Sequence, residues 1–391
     1  MQNPPLDEEG FADGIVGTLT YEAPLRQKKN FLAWHRPRKQ FVRHHQWCEQ
    51  IEKLLTEIQA NGGALRYLGL PGVDLLDLRY FHDHVCQPRG IQLKFLGFNT
   101  SANPRSDAQT ELNISLHEVR KLAFVDPISD VLGHNFCLIA DESSMAWEKT
   151  QQFGPYDVIN LDLCDGFGNH EPGVLEDSHY NAVNRLLSLQ ARNKNPWLLF
   201  ITTRTGDGHV HADVLEKFIQ KFINNLHDCH EFKVASTECF AIADEAALRV
   251  AANKSNGVST VFLTGLCKWL LGLAINHNSK IEVKSVIGYR IKPEAEHEDL
   301  VSIALRFEPS FVPMQDALGL ANHQPNHLNE CDLATKALKR VAKCLDADAV
   351  LAGDEELNHA MTKATADLLE LARYDVPEFH KWLSNQAAPA N

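Results

Sequence analysis

Apolar and polar positions along this chain follow two periods, and the switches between them predict its elements. Ile51, Leu54, Leu55 and Ile58 recur at helical spacing, which predicts a helix from Gln46 to Ala60, stopped by Asn61-Gly62-Gly63. Short apolar runs then alternate with amphipathic stretches. The runs Leu65–Leu70, Leu93–Phe98, Asn135–Ala140, Val158–Leu163 and Trp197–Thr202 read as strands, and the apolar run of the fourth reads as buried on both faces of a parallel sheet. Between them, Asp74–Val85, Leu112–Leu122 and His179–Gln190 carry helical spacing. Five strands separated by helices predict right-handed crossovers and a parallel, doubly wound α/β sheet.

The ending changes character. After helices near Val214–Leu226 and Thr260–Ile275 come two long β segments, Lys280–Ile291 and Leu300–Phe307. The eight residues between them are too few for a crossover helix, so the two must pair as an antiparallel hairpin. The expected sheet therefore has seven strands, mostly parallel, closed by that hairpin. Three expected parts follow: an N-terminal extended basic arm over 1–45, the α/β domain over 46–308, and a helical C-terminal extension over 309–391. The extension is marked by helical spacing in Leu333–Leu345, Glu356–Ala372 and Pro377–Leu383.

Chemistry concentrates where strands end. The fourth strand runs into Asp162, Cys164 and Asp165, then Gly166 and Gly168, and open α/β sheets place ligands at such carboxyl ends. Five β/α units closed by an antiparallel hairpin resemble the class I S-adenosylmethionine-dependent methyltransferases, of Rossmann type, over roughly Gln46 to Glu308. The resemblance implies S-adenosylmethionine as cofactor. It implies Gly69 and Gly72 near the methionine portion, Asn99 at the ribose hydroxyls, Asp141 at the adenine amino group, and Asp162 facing the transferred methyl. Asp162, Asp165 and His170 are the catalytic candidates, with His170 as acid–base group by position. The chain departs from the family at several points. Pro71 and Leu70 interrupt the glycine turn, Asn99 stands where an acid is usual, and Asp162-Leu163-Cys164-Asp165 replaces the D/N-P-P-aromatic signature of amino-methylating enzymes.

Composition narrows this further. A formal charge of −13 over 391 residues argues against a protein that coats nucleic acid with its whole surface. One local stretch runs the other way. Arg26–Trp47 holds seven Lys/Arg and no acid, with Phe31, Trp34, Phe41 and Trp47 interleaved. Trp34, Arg36, Arg38, Lys39 and Arg43 are thus candidates for phosphate contact and base stacking, or else for docking on the chain's own acidic surface. Nine scattered cysteines without a CxxC predict no zinc ribbon, and mostly buried free thiols in a reducing compartment. The N-terminus lacks the order of a signal peptide, and Val261–Ile275 is too short for a membrane span and carries Lys268. A cytoplasmic protein with no membrane contact is expected. His209 and His211, with Asp207 or Asp213, have metal-sharing spacing but equally the makings of a loop and helix cap.

Three functional readings remain. The first is a divergent methyltransferase acting on nucleic acid or another anionic substrate, positioned by the basic arm. The second is a binding or scaffold subunit that keeps the sheet and has lost the cofactor turn, with the C-terminal helices serving a protein partner. The third is a metal-dependent hydrolase or nuclease using Asp162, Asp165 and His170. The stretches WHRPRKQFVR and GLPGVDLLDLR also resemble bacterial proteins of mobile-element and defence gene clusters. An open pocket between Gly69, Asn99, Asp141 and Asp162 would favour the first reading, and a filled one the second.

Overall fold

The computed structural model describes residues 29–58, 63–101, 106–163, 165–169, 178–206, 208–291, 298–310 and 328–387. From Leu32 onward they belong to one compact unit. Its frame is an eight-stranded sheet of β1 (Ala64–Gly69), β2 (Gln92–Phe98), β3 (Asp130–Leu132), β4 (Val158–Asp162), β5 (Trp197–Arg204), β6 (Ser279–Tyr289), β7 (Leu300–Pro309) and β8 (Leu345–Asp346). The spatial order is β3-β2-β1-β4-β5-β7-β6-β8. The first five strands pair parallel, and β7 pairs antiparallel with both β5 and β6. The order reverses between β1 and β4, which makes their carboxyl ends the place where a doubly wound sheet would hold a ligand.

In chain order the helices begin with α1, a continuous helical run over 37–57. It starts as Pro37–Val42, passes through a π-helical stretch at Arg43–Cys48, and ends as Glu49–Glu57. Leu76–Phe81 (α2), Asp107–Arg120 (α3), Met145–Phe153 (α4) and His179–Gln190 (α5) serve the crossovers. Ala212–Asp228 (α6), His230–Phe240 (α7), Glu245–Ala252 (α8) and Ser255–Asn276 (α9) separate β5 from β6. Glu330–Val341 (α10), Ala347–Gly353 (α11), Glu355–Leu371 (α12) and Val376–Ala387 (α13) form the C-terminal extension. Several starts are fixed locally by serine. Ser106, Ser144 and Ser178 accept the backbone N–H three residues on, satisfying an amide that the helix itself leaves unpaired.

One face of the sheet is apolar through its centre. Leu68, Leu96, Ile159, Leu161, Leu199, Ile201, Ile303 and Leu305 pack there with Trp147, Leu186 and Leu270 in a single buried cluster. Burying each such side chain stabilises the fold by about 1.5–3 kcal/mol. A bulge between Val283 and Ser285 shifts the alternation of β6, so that Val283 and Val286 both face this cluster.

The structure changes four expectations. The sheet has eight strands rather than seven, because β8 adds a two-residue parallel edge beside β6. The third strand lies at Asp130–Leu132, while Asn135–Ala140 is not extended. Asn135 accepts the Cys137 N–H and starts a 3-10 turn over Phe136–Ala140, which buries Phe136 and Ile139 in the apolar cluster. The basic segment is no extended arm from Pro37 onward, because α1 packs on the sheet. Lastly, α9 is longer than its apolar core suggested, and by length and composition could cross a membrane. Its Val261, Phe262, Leu266, Leu270 and Ala274 are instead buried among the protein's own side chains. Lys268, whose ammonium burial pushes down, is held by Asn225 and by Glu330 at 3.5 Å.

Candidate functional site at the carboxyl edge of the sheet

The second face of the sheet is polar towards its carboxyl edge. By alternation β1 presents Tyr67 and Gly69 there, β4 Asn160 and Asp162, β5 Phe200 and Thr202, and β7 Ser302. Over them lies α1, and its basic residues point inward. Lys39 Nζ sits 2.6 Å from Asp162 Oδ1 and 3.3 Å from the Tyr289 hydroxyl, with the Trp47 ring centroid 4.5 Å away. Arg43 Nε donates to Asp77 Oδ1 at 2.6 Å. Side-chain exposure is 3% for both cations and 22% for Asp162. Trp47 is fully buried, stacked near Phe200, and donates its indole N–H to Ser302 Oγ. Gln46 reaches the Ser302 carbonyl and Ser285. Burial pushes the Tyr67 and Tyr289 hydroxyls well above the ordinary tyrosine value, so both stay protonated donors.

The β1 turn is occupied in the same manner. A Cβ on Gly69 would fall 2.5 Å from the Tyr67 hydroxyl, so this glycine makes room for the chain's own tyrosine ring. Asn99 donates its amide to the Pro71 carbonyl at 2.8 Å, and its Oδ1 accepts the Ser101 N–H. Both ends of that side chain are engaged. Gly72 is exposed, with nothing within 4 Å of its would-be Cβ. Two residues on, Asp74 accepts the Tyr374 hydroxyl at 2.7 Å, and Arg373 pairs with Glu111 at 2.8 Å and with Glu118. The C-terminal extension thus straddles the β1–β2 side of the edge.

On the other side, the loops after β4 and β5 are joined. Phe167 N–H donates to Thr203 Oγ1, and His211 N–H to the Gly168 carbonyl. A Cβ on Gly166 would meet the His209 carbonyl at 2.2 Å, which requires glycine there. Asp165 takes the Gly166 N–H, the Asn169 amide and His209 Nδ1. Burial raises its carboxyl, but these hydrogen bonds outweigh that and leave it below the usual carboxylate range. Arg204 Nη1 lies 3.0 Å from His209 Nε2, and since guanidinium can only donate, the imidazole proton faces Asp165. His209 therefore offers no unengaged lone pair to a reacting group. His211 accepts the Asp213 N–H as the cap of α6.

Of the candidate catalytic residues, Asp162 is at the edge on Lys39, Asp165 lies exposed in the neighbouring loop, and His170 falls outside the described residues. Cys164 and Asp207 also fall outside them. Asp141 is not at a strand end. It is exposed, and its own Ser143 N–H and hydroxyl lower its pKa. Among the residues proposed for nucleic acid, Trp34 is 45% exposed. Arg36 is buried over the Trp382 ring, Arg38 bonds the Arg290 carbonyl and Asp348, and Lys39 and Arg43 are paired as above. Sequence reasoning missed Asp77, Tyr289 and Tyr374, which lie 34, 250 and 300 residues from Arg43, Lys39 and Asp74 respectively. Nothing in local spacing announces partners so remote. The thiol expectation is also amended, because Cys229 and Cys331 form a disulfide. Cys86 and Cys267 are buried thiols, pushed up to about 12 by burial.

No curated protein matches the sequence. Among solved structures, similarity is found to the crystal structure of a modification subunit of a putative type I restriction enzyme from Vibrio vulnificus YJ016. Identity is 11% and the TM-score 0.32, over 75% of this chain and 50% of that one. The chain thus corresponds to about half the length of that subunit. A family model described as PP_RS20740-like matches residues 28–384, nearly the whole described structure, and the chain belongs to that family.

Proposed function

We propose that this chain is a binding or scaffold subunit, built on a methyltransferase-like sheet whose cofactor edge is filled from within. The observation that carries this reading is the Lys39–Asp162 contact at 2.6 Å. The carboxylate implied to face a transferred methyl instead holds a buried ammonium of the same chain. Three of the other implied contacts are also taken up within the chain. Tyr67 covers Gly69, the Asn99 amide is engaged at both ends, and Asp141 turns to Ser143. The basic stretch, on this reading, is internal glue between α1 and the sheet rather than a nucleic-acid arm.

The test is calorimetric titration of the full chain with S-adenosylmethionine and with S-adenosylhomocysteine. Neither should give heat or raise the melting temperature, and Lys39→Ala should not create binding. One-to-one binding of either compound to the wild-type chain would overturn the reading.

One observation favours a second reading. The strand order reverses between β1 and β4, and Gly72 beside that point is exposed, as a ligand crevice requires. A divergent S-adenosylmethionine-dependent enzyme would use that opening, and Gly72→Val would then abolish the calorimetric signal.

A further inference from the structure

Away from the sheet edge, α7 and α10 pack side by side, and their N-terminal ends meet at a cluster that none of the functional readings uses. Cys229, Glu231 and Cys331 bring two sulfurs and a carboxylate oxygen within 4.8 Å of one another, although Cys331 is 102 residues from Cys229. Cys229 is the N-cap of α7, its sulfur accepting the Phe232 N–H at 3.3 Å. An amide and a helix N-terminus both favour thiolate over thiol. Glu231 Oε2 lies 3.3 Å from Cys331 Sγ and 3.9 Å from Cys229 Sγ, and Thr335 Oγ1 is 3.8 Å from Cys229 Sγ.

The two sulfurs are joined as a disulfide in the structure, with Cα atoms 5.6 Å apart. A disulfide gives the carboxylate no work, since its sulfurs carry no proton to donate. A reduced pair does. Two thiolates bound to one ion at about 2.3 Å each sit roughly 3.8 Å apart in tetrahedral geometry. Rotation of the two side chains opens the sulfurs to that distance without moving either helix.

We propose that, with Cys229 and Cys331 reduced, this cluster binds a thiophilic divalent cation of the zinc class. Two Zn–S bonds and one Zn–O bond to Glu231 form. Both thiol protons pass to solvent, and all but one of the aqueous ion's waters leave as it goes to four-coordinate. A fourth position stays with water. Soft sulfur donors select zinc over magnesium or calcium, and the carboxylate brings the set to three protein ligands. The ion would tie the start of the C-terminal extension to α7, where the disulfide ties it under oxidising conditions.

The experiment uses the full chain, reduced with a phosphine and freed of metal and reductant without air. Co2+ is the probe, read by thiolate-to-cobalt charge-transfer absorption. One equivalent should bind, be displaced by Zn2+, and be lost in Cys331→Ser. Glu231→Gln, an exposed change that leaves the helix intact, should weaken binding roughly tenfold while keeping the charge-transfer band. Cys239 and Cys344 are exposed, so Cys239→Ser/Cys344→Ser is the control and should bind as wild type does. The proposal is overturned if the reduced chain shows no charge-transfer band. It is equally overturned if Cys331→Ser keeps the band, if Glu231→Gln leaves affinity unchanged, or if the native disulfide resists reduction.

Discussion

The two faces of the sheet are built from opposite materials. On one, the side chains of Ile159, Leu161 and Leu199 pack in an apolar cluster. On the other, Tyr67, Asn160 and Asp162 meet a helix bearing Lys39, Arg43 and Gln46, and hydrogen bonds between named partners fix the contact. Asn160 is fully buried there, with the Tyr67 hydroxyl as its side-chain partner. An apolar interface tolerates small shifts, because any neighbour of suitable volume will do. A buried polar interface does not, because each group left without its partner costs its full desolvation. The polar face therefore fixes where α1 sits, and with it what occupies the carboxyl edge.

Five variants would break or sharpen this contrast. The largest effect is expected at Arg43→Ala, which leaves Asp77 buried without its cation and should cost about 3–5 kcal/mol in urea unfolding. Replacing both partners, as Arg43→Met with Asp77→Leu, should recover most of that loss. A double variant as unstable as the single one would show that the pair is more than mutual compensation. On the apolar face, Leu161→Ala should cost about 3 kcal/mol through the cavity it leaves, with no dependence on pH or salt.

Asp157 gives a smaller effect of the opposite sign. It lies just before β4, where it accepts the Arg66 N–H, and burial pushes its carboxyl up to about 6. The unfolded chain releases that proton near pH 4, so between about 4 and 6 the folded state binds more protons than the unfolded one. Stability from this group is lost as pH rises through that window. Asp157→Asn should flatten the dependence and raise stability at pH 7 by about 2 kcal/mol, measured as melting curves across pH 4–8. The smallest change is expected at Asp165→Ala. Its side chain is 62% exposed, so loss of the His209 contact should move stability by no more than about 0.5 kcal/mol.

Local pattern carried the architecture well. The first two strands, the fourth, the fifth and the terminal hairpin all stand where apolar runs and turn residues predicted them, and Val158–Leu161 is buried and paired on both edges, by β1 and β5. Pattern failed at β3. Its three residues are too few to show a period, whereas Phe136–Ala140 is apolar enough to look like a strand and is buried as a 3-10 turn. It also failed at α1. Lys39 and Arg43 carry the signature of solvent-facing residues, and only the fold brings Asp162 and Asp77, 123 and 34 residues away, to within 2.6 Å of them.

The sequence by itself determined most of the strands and helices, the parallel run of β1, β2, β4 and β5, and the carboxylates that end the fourth strand. These follow from the period of apolar positions and the chemistry of turns, which act over a few residues. The tertiary structure alone decided that the basic stretch turns inward, that Tyr67 lies over Gly69, and that Cys229 meets Cys331. Each of those is a choice of partner across the chain, set by which charges and sulfurs the packed elements bring together, and no spacing of neighbours encodes it.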